Sequence, residues 1–246
     1  MPFVKRGEAS IYYEEFGSGY PIMLFAPGSL SSTIAVWHRS AAFDATAELA
    51  GEFRLIAMDL RNAGGQSWAP ITPDDGWHSF TQDHIAILDQ LGIERCHVLG
   101  QCIGGPLSMS LIRAAPERIS AAVLVQPSGR IGPDTGRPGG FERWRESLTG
   151  HPEATPAVLD SMRANLYRDD FVYTVTREFV RTCHTPLLVL AGNDEAHPFP
   201  LAEELARLAP NAEFIPEWKT GAALEVALKR IHEFLSAHTP VSAGRA

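Results

Sequence analysis

An α/β fold built on a mostly parallel sheet, with helices on both faces, is predicted by three features of the sequence. Short continuous apolar runs recur along the chain. Segments patterned at helical spacing separate them. Their order is strand, helix, strand, helix, which places parallel strands side by side under crossover helices. At 246 residues, 45% of them hydrophobic and 20% charged, the chain suits one large α/β domain with a full core.

The elements follow in order. Residues 2–16 alternate apolar and polar side chains around Gly7 and end at Gly17-Ser18-Gly19, the pattern of an antiparallel hairpin. Pro21 to Ala26 is a continuous apolar run, as expected of a strand buried on both faces, and it breaks at Pro27-Gly28-Ser29. Arg54 to Asp59 is a second such strand. Phe80, Ile87, Leu88 and Leu91 then repeat at helical spacing, and Gly92 supplies the stop. Cys96 to Gly100 is a third buried strand, followed at once by a helix from Cys102 that ends ahead of Pro116. Ile119–Val125 and Pro186–Ala191 add two strands, Leu201, Leu205 and Leu208 a helix, and Ala212–Ile215 a last strand. Leu224, Leu228, Ile231 and Leu235 put one apolar stripe on a closing helix.

One segment interrupts this rhythm. From Ser128 to His184 the chain is first Gly/Pro-rich and then carries short helical patterns, as expected of a small helical cap above the strand ends. The expected organisation is a core of residues 1–127 and 185–240, a cap of 128–184 and a flexible tail of 241–246.

Composition narrows the partners. A net charge of -8 is not the footprint of a nucleic-acid binder. No long apolar run follows Met1-Pro2-Phe3-Val4-Lys5-Arg6, and no stretch has the length of a membrane span. Cys96, Cys102 and Cys183 form no CxxC pair, so a cytoplasmic protein with reduced thiols is expected. No two histidines have the spacing of a metal site, and neither a phosphate loop nor a dinucleotide fingerprint is present. The expectation is no cofactor and a small-molecule substrate. The sequence sets no oligomeric state and leaves room for a homo-oligomer.

The most informative segment is His97-Val98-Leu99-Gly100-Gln101-Cys102-Ile103-Gly104-Gly105. It puts a nucleophilic side chain in the tight turn between a buried strand and an apolar helix. Small residues two before and two after are needed there, because backbone and strand approach closely; Gly100 and Gly104 meet that need. The start of a helix also favours a thiolate over a thiol. The competing reading of Cys102 is an inert small apolar residue.

With that turn, the chain resembles the α/β-hydrolase superfamily over nearly its whole length. Ala26-Pro27-Gly28-Ser29 stands where that family has its first oxyanion loop. Asp59-Leu60-Arg61-Asn62-Ala63-Gly64 resembles its Asp-x-Arg-Gly-x-Gly turn. Asp89-Gln90-Leu91-Gly92-Ile93 resembles the end of the helix before the elbow, and Leu190-Ala191-Gly192-Asn193-Asp194 the turn that carries the catalytic acid. The resemblance implies a nucleophile at Cys102, an acid at Asp194, and an oxyanion held by the backbone N–H groups of Ser29 and Ile103.

The resemblance fails at the histidine. The family's base lies after the last strand, where this chain reads Phe214-Ile215-Pro216-Glu217-Trp218-Lys219-Thr220-Gly221. Dienelactone hydrolases share a cysteine nucleophile but keep that histidine. The best substitute is His197 in Asp194-Glu195-Ala196-His197-Pro198, with a catalytic and a structural reading of equal standing. Glu195 and Glu217 are weaker alternatives. His232, on the polar face of the closing helix, reads as a solvated surface residue, and His84, a turn from Phe80, as a satisfied half-buried one. Trp37, His38, His78, Gln101 and Trp144 are candidates to line a substrate pocket. Three functions compete: a cysteine hydrolase of a small ester, lactone or thioester; a lyase, cyclase or acyltransferase on the same fold, favoured by the missing histidine; and a non-catalytic small-molecule receptor.

Overall fold

The strands form where the sequence alternates or runs apolar. In the computed structural model, which describes residues 2–39, 41–132, 139–168 and 171–240, β1 (Phe3–Arg6) and β2 (Ala9–Phe16) make the antiparallel hairpin around Gly7. Inner and outer residues alternate along β2, and the strand pairs antiparallel with β4 (Phe53–Met58). The remaining strands are parallel and buried: β3 (Tyr20–Phe25), β5 (Cys96–Gln101), β6 (Ile119–Val125), β7 (Leu187–Leu190) and, half-buried at the edge, β8 (Ala212–Ile215). The sheet order is β1-β2-β4-β3-β5-β6-β7-β8. Each predicted strand is present, with ends shifted by a residue at most.

Period-two alternation along each strand divides the interior into two apolar layers. Met23, Phe25, Val98, Leu124 and Val189 face one side, under α3 (Trp77–Gln90), α4 (Gly104–Ala114) and α8 (Phe199–Leu208). Ile22, Leu24, Leu99, Val123 and Leu188 face the other, under α1 (Ile34–Arg39), α2 (Ala45–Leu49) and α9 (Ala222–Ala237). The short helices α1 and α2 lack a full apolar period and were not legible as helices. Asp44 starts α2 by accepting from the N–H groups of Thr46 and Ala47.

Between β6 and β7 stand α5 (Gly139–Ser147), α6 (Pro156–Leu166) and α7 (Arg177–Thr182). Phe141, Trp144, Leu159, Met162 and Leu166 of this segment join the α3/α4 apolar layer. The Trp144 indole N–H donates to the carbonyl of Asn62 at 2.7 Å, tying α5 to the loop after β4. That loop is fixed in turn by Arg61, which donates twice to Asp83 (2.7 and 2.8 Å) and once to Asp75 (3.1 Å) in the interior. Among the described residues no helix is long and apolar enough to cross a membrane.

Two histidines depart from expectation. His84 is not a satisfied half-buried residue. It is 1% exposed, lies against the Phe25 ring, and neither ring nitrogen has a hydrogen-bond partner. Burial, with the nearby Arg61 charge, pushes its pKa down to about 3. His232 is half-buried rather than solvated and faces Glu52 at 3.4 Å.

The buried neutral His84 has a consequence for acid stability. A histidine takes up a proton below about pH 6.5 in the unfolded chain, whereas His84 in the folded chain does so only near its depressed pKa of about 3. Folding stability must therefore fall as pH is lowered from about 6.5, by up to about 1.4 kcal/mol per pH unit for this one group. In urea unfolding of wild type and His84→Phe, the stability difference should shift by about 2 kcal/mol in favour of the variant between pH 6.5 and 5. An unchanged difference would contradict the neutral assignment.

Candidate active site

The site forms at the carboxyl ends of the central strands, the position expected of ligand sites in open α/β sheets. β5 ends at Gln101, and Cys102 turns into α4 with a left-handed φ of 58°. The close approach is real on both sides. A Cβ at Gly100 would lie 2.1 Å from the carbonyl oxygen of Gly104, and one at Gly104 would lie 2.5 Å from that of Phe25. Ser29 (φ 56°) after β3 and Gln126 (φ 40°) after β6 are also left-handed, so three non-glycine residues in costly backbone conformations gather at adjacent strand ends.

Four groups surround the Cys102 sulfur. The Ser128 hydroxyl lies 3.4 Å from Sγ. The backbone N–H of Gly28 and the imidazole of His197 lie near enough to favour its thiolate form. Tyr173 lies close enough to feel its charge. Burial alone would push the thiol's pKa up. His197, Ser128 and Gly28 together outweigh burial, the largest single influence, and the net shift is downward.

His197 reaches this position from the turn after β7. Asp194 and His197 bridge through their backbones, and one Asp194 carboxylate oxygen accepts from the backbone N–H groups of Ala196 and His197, both at 3.0 Å. The same carboxylate holds Nδ1 of the ring at 2.7 Å. Nε2, the ring's other nitrogen, is buried and has no hydrogen-bond partner, and the ring lies close enough to Cys102 for each to shift the other's titration. Gly192 is required beneath this turn, because a Cβ there would lie 2.3 Å from Cβ of His197. Burial lowers the His197 pKa, but Cys102 and Asp194 together raise it above the ordinary value. Asp194 is held below the usual carboxylate range by His197, against a burial effect of opposite sign, with Lys219 Nζ 4.0 Å away.

The loop after β8, where the family's histidine would lie, is filled instead by Trp218. Its indole is buried and donates to the carbonyl of Ala191 at 2.7 Å, tying this short loop to the end of β7.

The other candidates separate. Ile103 is the N-cap residue of α4, next to the sulfur-bearing residue. At the oxyanion loop, the Gly28 N–H favours the sulfur's anion, while the Ser29 side chain packs against Gly140 and faces Tyr167. Gln101 is buried, with its side-chain carbonyl lacking a donor. Trp37 and His38 do not line the site. Trp37 is core on the opposite sheet face, with Ile34, Phe43 and Trp218, and His38 is a surface residue hydrogen-bonded to Asp44 at 2.6 Å. Trp144 is 1% exposed and anchors α5 rather than forming an open pocket wall. His78 lies in a surface cleft of about 310 Å³ with Arg113, Asn165, Arg168 and Tyr173.

Ser128, Gly28, Tyr167 and Tyr173 were missed from sequence. The position of Ser128, just past the end of a strand adjacent to β5, is a signal that could have found it. Tyr167 and Tyr173 come from the inserted segment, whose path no periodicity gives.

The geometry predicts how the thiol titrates. Alkylation of Cys102 by iodoacetamide should show a midpoint below the ordinary thiol value of about 8.5. In His197→Gln the largest remaining influence is burial, so the midpoint should move up and the rate at pH 7 fall at least tenfold. An unchanged profile would mean that the imidazole does not act on the sulfur.

Residues 21–175 match the family described as alpha/beta hydrolase fold. A RutD protein of Azorhizobium caulinodans, assigned as a carbamate hydrolase, is 35% identical over 128 residues, spanning 51% of this chain and 44% of that protein. An uncharacterised carboxylesterase of Bacillus subtilis is 23% identical over 90% of this chain and 81% of its own length. Among solved structures, a meta-cleavage product hydrolase of Pseudomonas fluorescens superposes with a TM-score of 0.72 at 18% identity, covering 96% of this chain and 98% of the other. An enol-lactonase of Burkholderia xenovorans does so with a TM-score of 0.68 at 22% identity, covering 96% and 100%. At these identities the structures speak for the fold. With more than half of its length matched and the elbow in place, the chain belongs to the α/β-hydrolase-fold family.

Proposed function

We propose that this protein is a hydrolase of small ester, lactone or thioester carbonyls in which Cys102 is the nucleophile, His197 the base and Asp194 its orienting acid. The observation that carries the reading is the Asp194–His197 bond to Nδ1, which leaves Nε2 facing the Cys102 sulfur. The relatives assigned as a carbamate hydrolase, a carboxylesterase and an enol-lactonase support carbonyl hydrolysis.

The chemistry proceeds from a thiolate–imidazolium pair. The sulfur attacks the carbonyl carbon, and the developing oxyanion is received by the backbone N–H groups of Ser29 and Ile103, each donor of this kind being worth about 3 kcal/mol. Collapse expels the leaving group, which takes the proton from Nε2. His197, now neutral, removes a proton from water as the water oxygen attacks the thioester. The C–S bond then breaks and the thiolate returns. A missing histidine argued for acyl transfer, because a thioester without a base hydrolyses slowly. A histidine facing the sulfur from the acid's own turn removes that argument and supports transfer to water.

The test is p-nitrophenyl acetate turnover, with intact-protein mass spectrometry after brief exposure, on wild type, Cys102→Ala and His197→Gln. Wild type should turn over without accumulating adduct. Cys102→Ala should lose at least a thousandfold in rate. At pH 9, His197→Gln should accumulate an acetylated enzyme, since acylation survives while water activation does not. Undiminished turnover in Cys102→Ala would overturn the assignment, and a wild-type protein that stays acetylated would move the reading to acyl transfer.

A further inference from the structure

The Cys102 sulfur has a neighbour that the three proposed catalytic groups do not account for. Ser128 is buried, and its hydroxyl makes its hydrogen bond to Sγ at 3.4 Å. Its placement is fixed by backbone. Gln126, in its left-handed conformation, donates to the carbonyl of Leu190 at 2.8 Å and bends the chain at the end of β6. Two residues on, the Ser128 N–H donates to the carbonyl of Cys102 at 3.1 Å, so elbow and hydroxyl are held as one unit. Pro127 between them packs so tightly on α4 that a Cβ at Gly105 would lie 2.5 Å from its Cβ.

We propose that Ser128 is a catalytic hydrogen-bond donor to the Cys102 sulfur, acting chiefly when the acyl group is released. The proposal rests on reading Cys102 as the nucleophile. A hydroxyl beside a thiol can donate or accept; beside a thiolate it can only donate. The bond therefore belongs to the anion, and charge-assisted bonds are about twice as strong as neutral ones. During attack the Sγ–C bond forms, the carbonyl electrons move to oxygen, and the sulfur's charge disappears. Ser128 then stabilises the starting state more than the transition state. During release the water oxygen bonds to carbon, its proton goes to Nε2 of His197, and the C–S bond breaks with its electron pair passing to sulfur. Here the donor meets charge that is growing, which is the condition for acceleration. Ser128 thus makes the sulfur a better leaving group and opposes trapping of the thioester.

The groups facing the sulfur set the controls. They are the Gly28 N–H after β3, His197 with Asp194 and Lys219 behind it, Tyr173 from the inserted segment, and Ser128 itself. Two readouts on the full chain test the proposal, with Cys102→Ala as the blank for Cys96 and Cys183. In the pH profile of iodoacetamide alkylation, Ser128→Ala should raise the Cys102 midpoint by about one unit. With p-nitrophenyl acetate, it should slow deacylation roughly tenfold, so that acetylated enzyme accumulates in the mass spectrum. Ser128→Thr, which keeps the hydroxyl, should restore both. Should Ser128→Ala not fold, Ser128→Gly carries the same comparison. A lower melting temperature with an unmoved midpoint would overturn the proposal in favour of a purely structural serine. A moved midpoint with no accumulation would overturn the leaving-group role. Full turnover in Cys102→Ala would remove the nucleophile reading, and the alkylation midpoint would still report the Ser128–sulfur bond.

Discussion

The Asp194 carboxylate carries the site. One side chain closes a four-residue turn through two backbone N–H groups and, with the same oxygens, grips Nδ1 of His197. Closing the turn and orienting the ring are one event, so the imidazole arrives with its tautomer set and Nε2 aimed at the sulfur. The usual α/β-hydrolase arrangement needs two loops, one for the acid and one for the base. On the proposed reading, a single turn after β7 supplies both. The loop after β8 holds the buried Trp218, tied to Ala191.

The rest of the structure supports that turn. Gly192 leaves room for His197 to pack, and the bare backbones of Gly100 and Gly104 let the elbow press between β5, β3 and α4. Left-handed backbone at Ser29, Cys102 and Gln126 costs of order 1–3 kcal/mol per residue, offset by the packing around them. Strain of that kind persists where geometry matters more than stability. The buried pair is also one of opposing effects: burial disfavours a charged thiolate and a charged imidazolium, and each is favoured by the other.

Most of the fold was legible because its signals are local. Five buried parallel strands announce themselves as apolar runs, and the hairpin as alternation. What sequence missed is short or non-periodic: α1 and α2 have too few turns to show an apolar face, and the inserted helices bring Tyr167 and Tyr173 over the site by a path no pattern encodes. The elbow was readable because steric need fixes glycines at set offsets from Cys102. His197 was findable only by elimination, since a histidine three residues from an aspartate is equally a turn residue until its ring direction is known. Aromatic residues misled for a related reason. Trp37 and Trp144 have the composition of pocket walls, but Trp37 belongs to the far side of the sheet and Trp144 is consumed by a bond to Asn62. Ser128 shows the opposite error, an ordinary residue made significant by the strand end it follows.

The central claim is that the resting site holds an ion pair between Cys102 and His197. Nitrogen-15 NMR of the His197 ring, followed with pH in wild type and Cys102→Ala, tests it most directly. The account predicts a ring protonated on both nitrogens at pH 7 in wild type, and a ring that loses its Nε2 proton at lower pH once the thiolate is removed. A wild-type ring already neutral at pH 7, titrating as it does in Cys102→Ala, would contradict it.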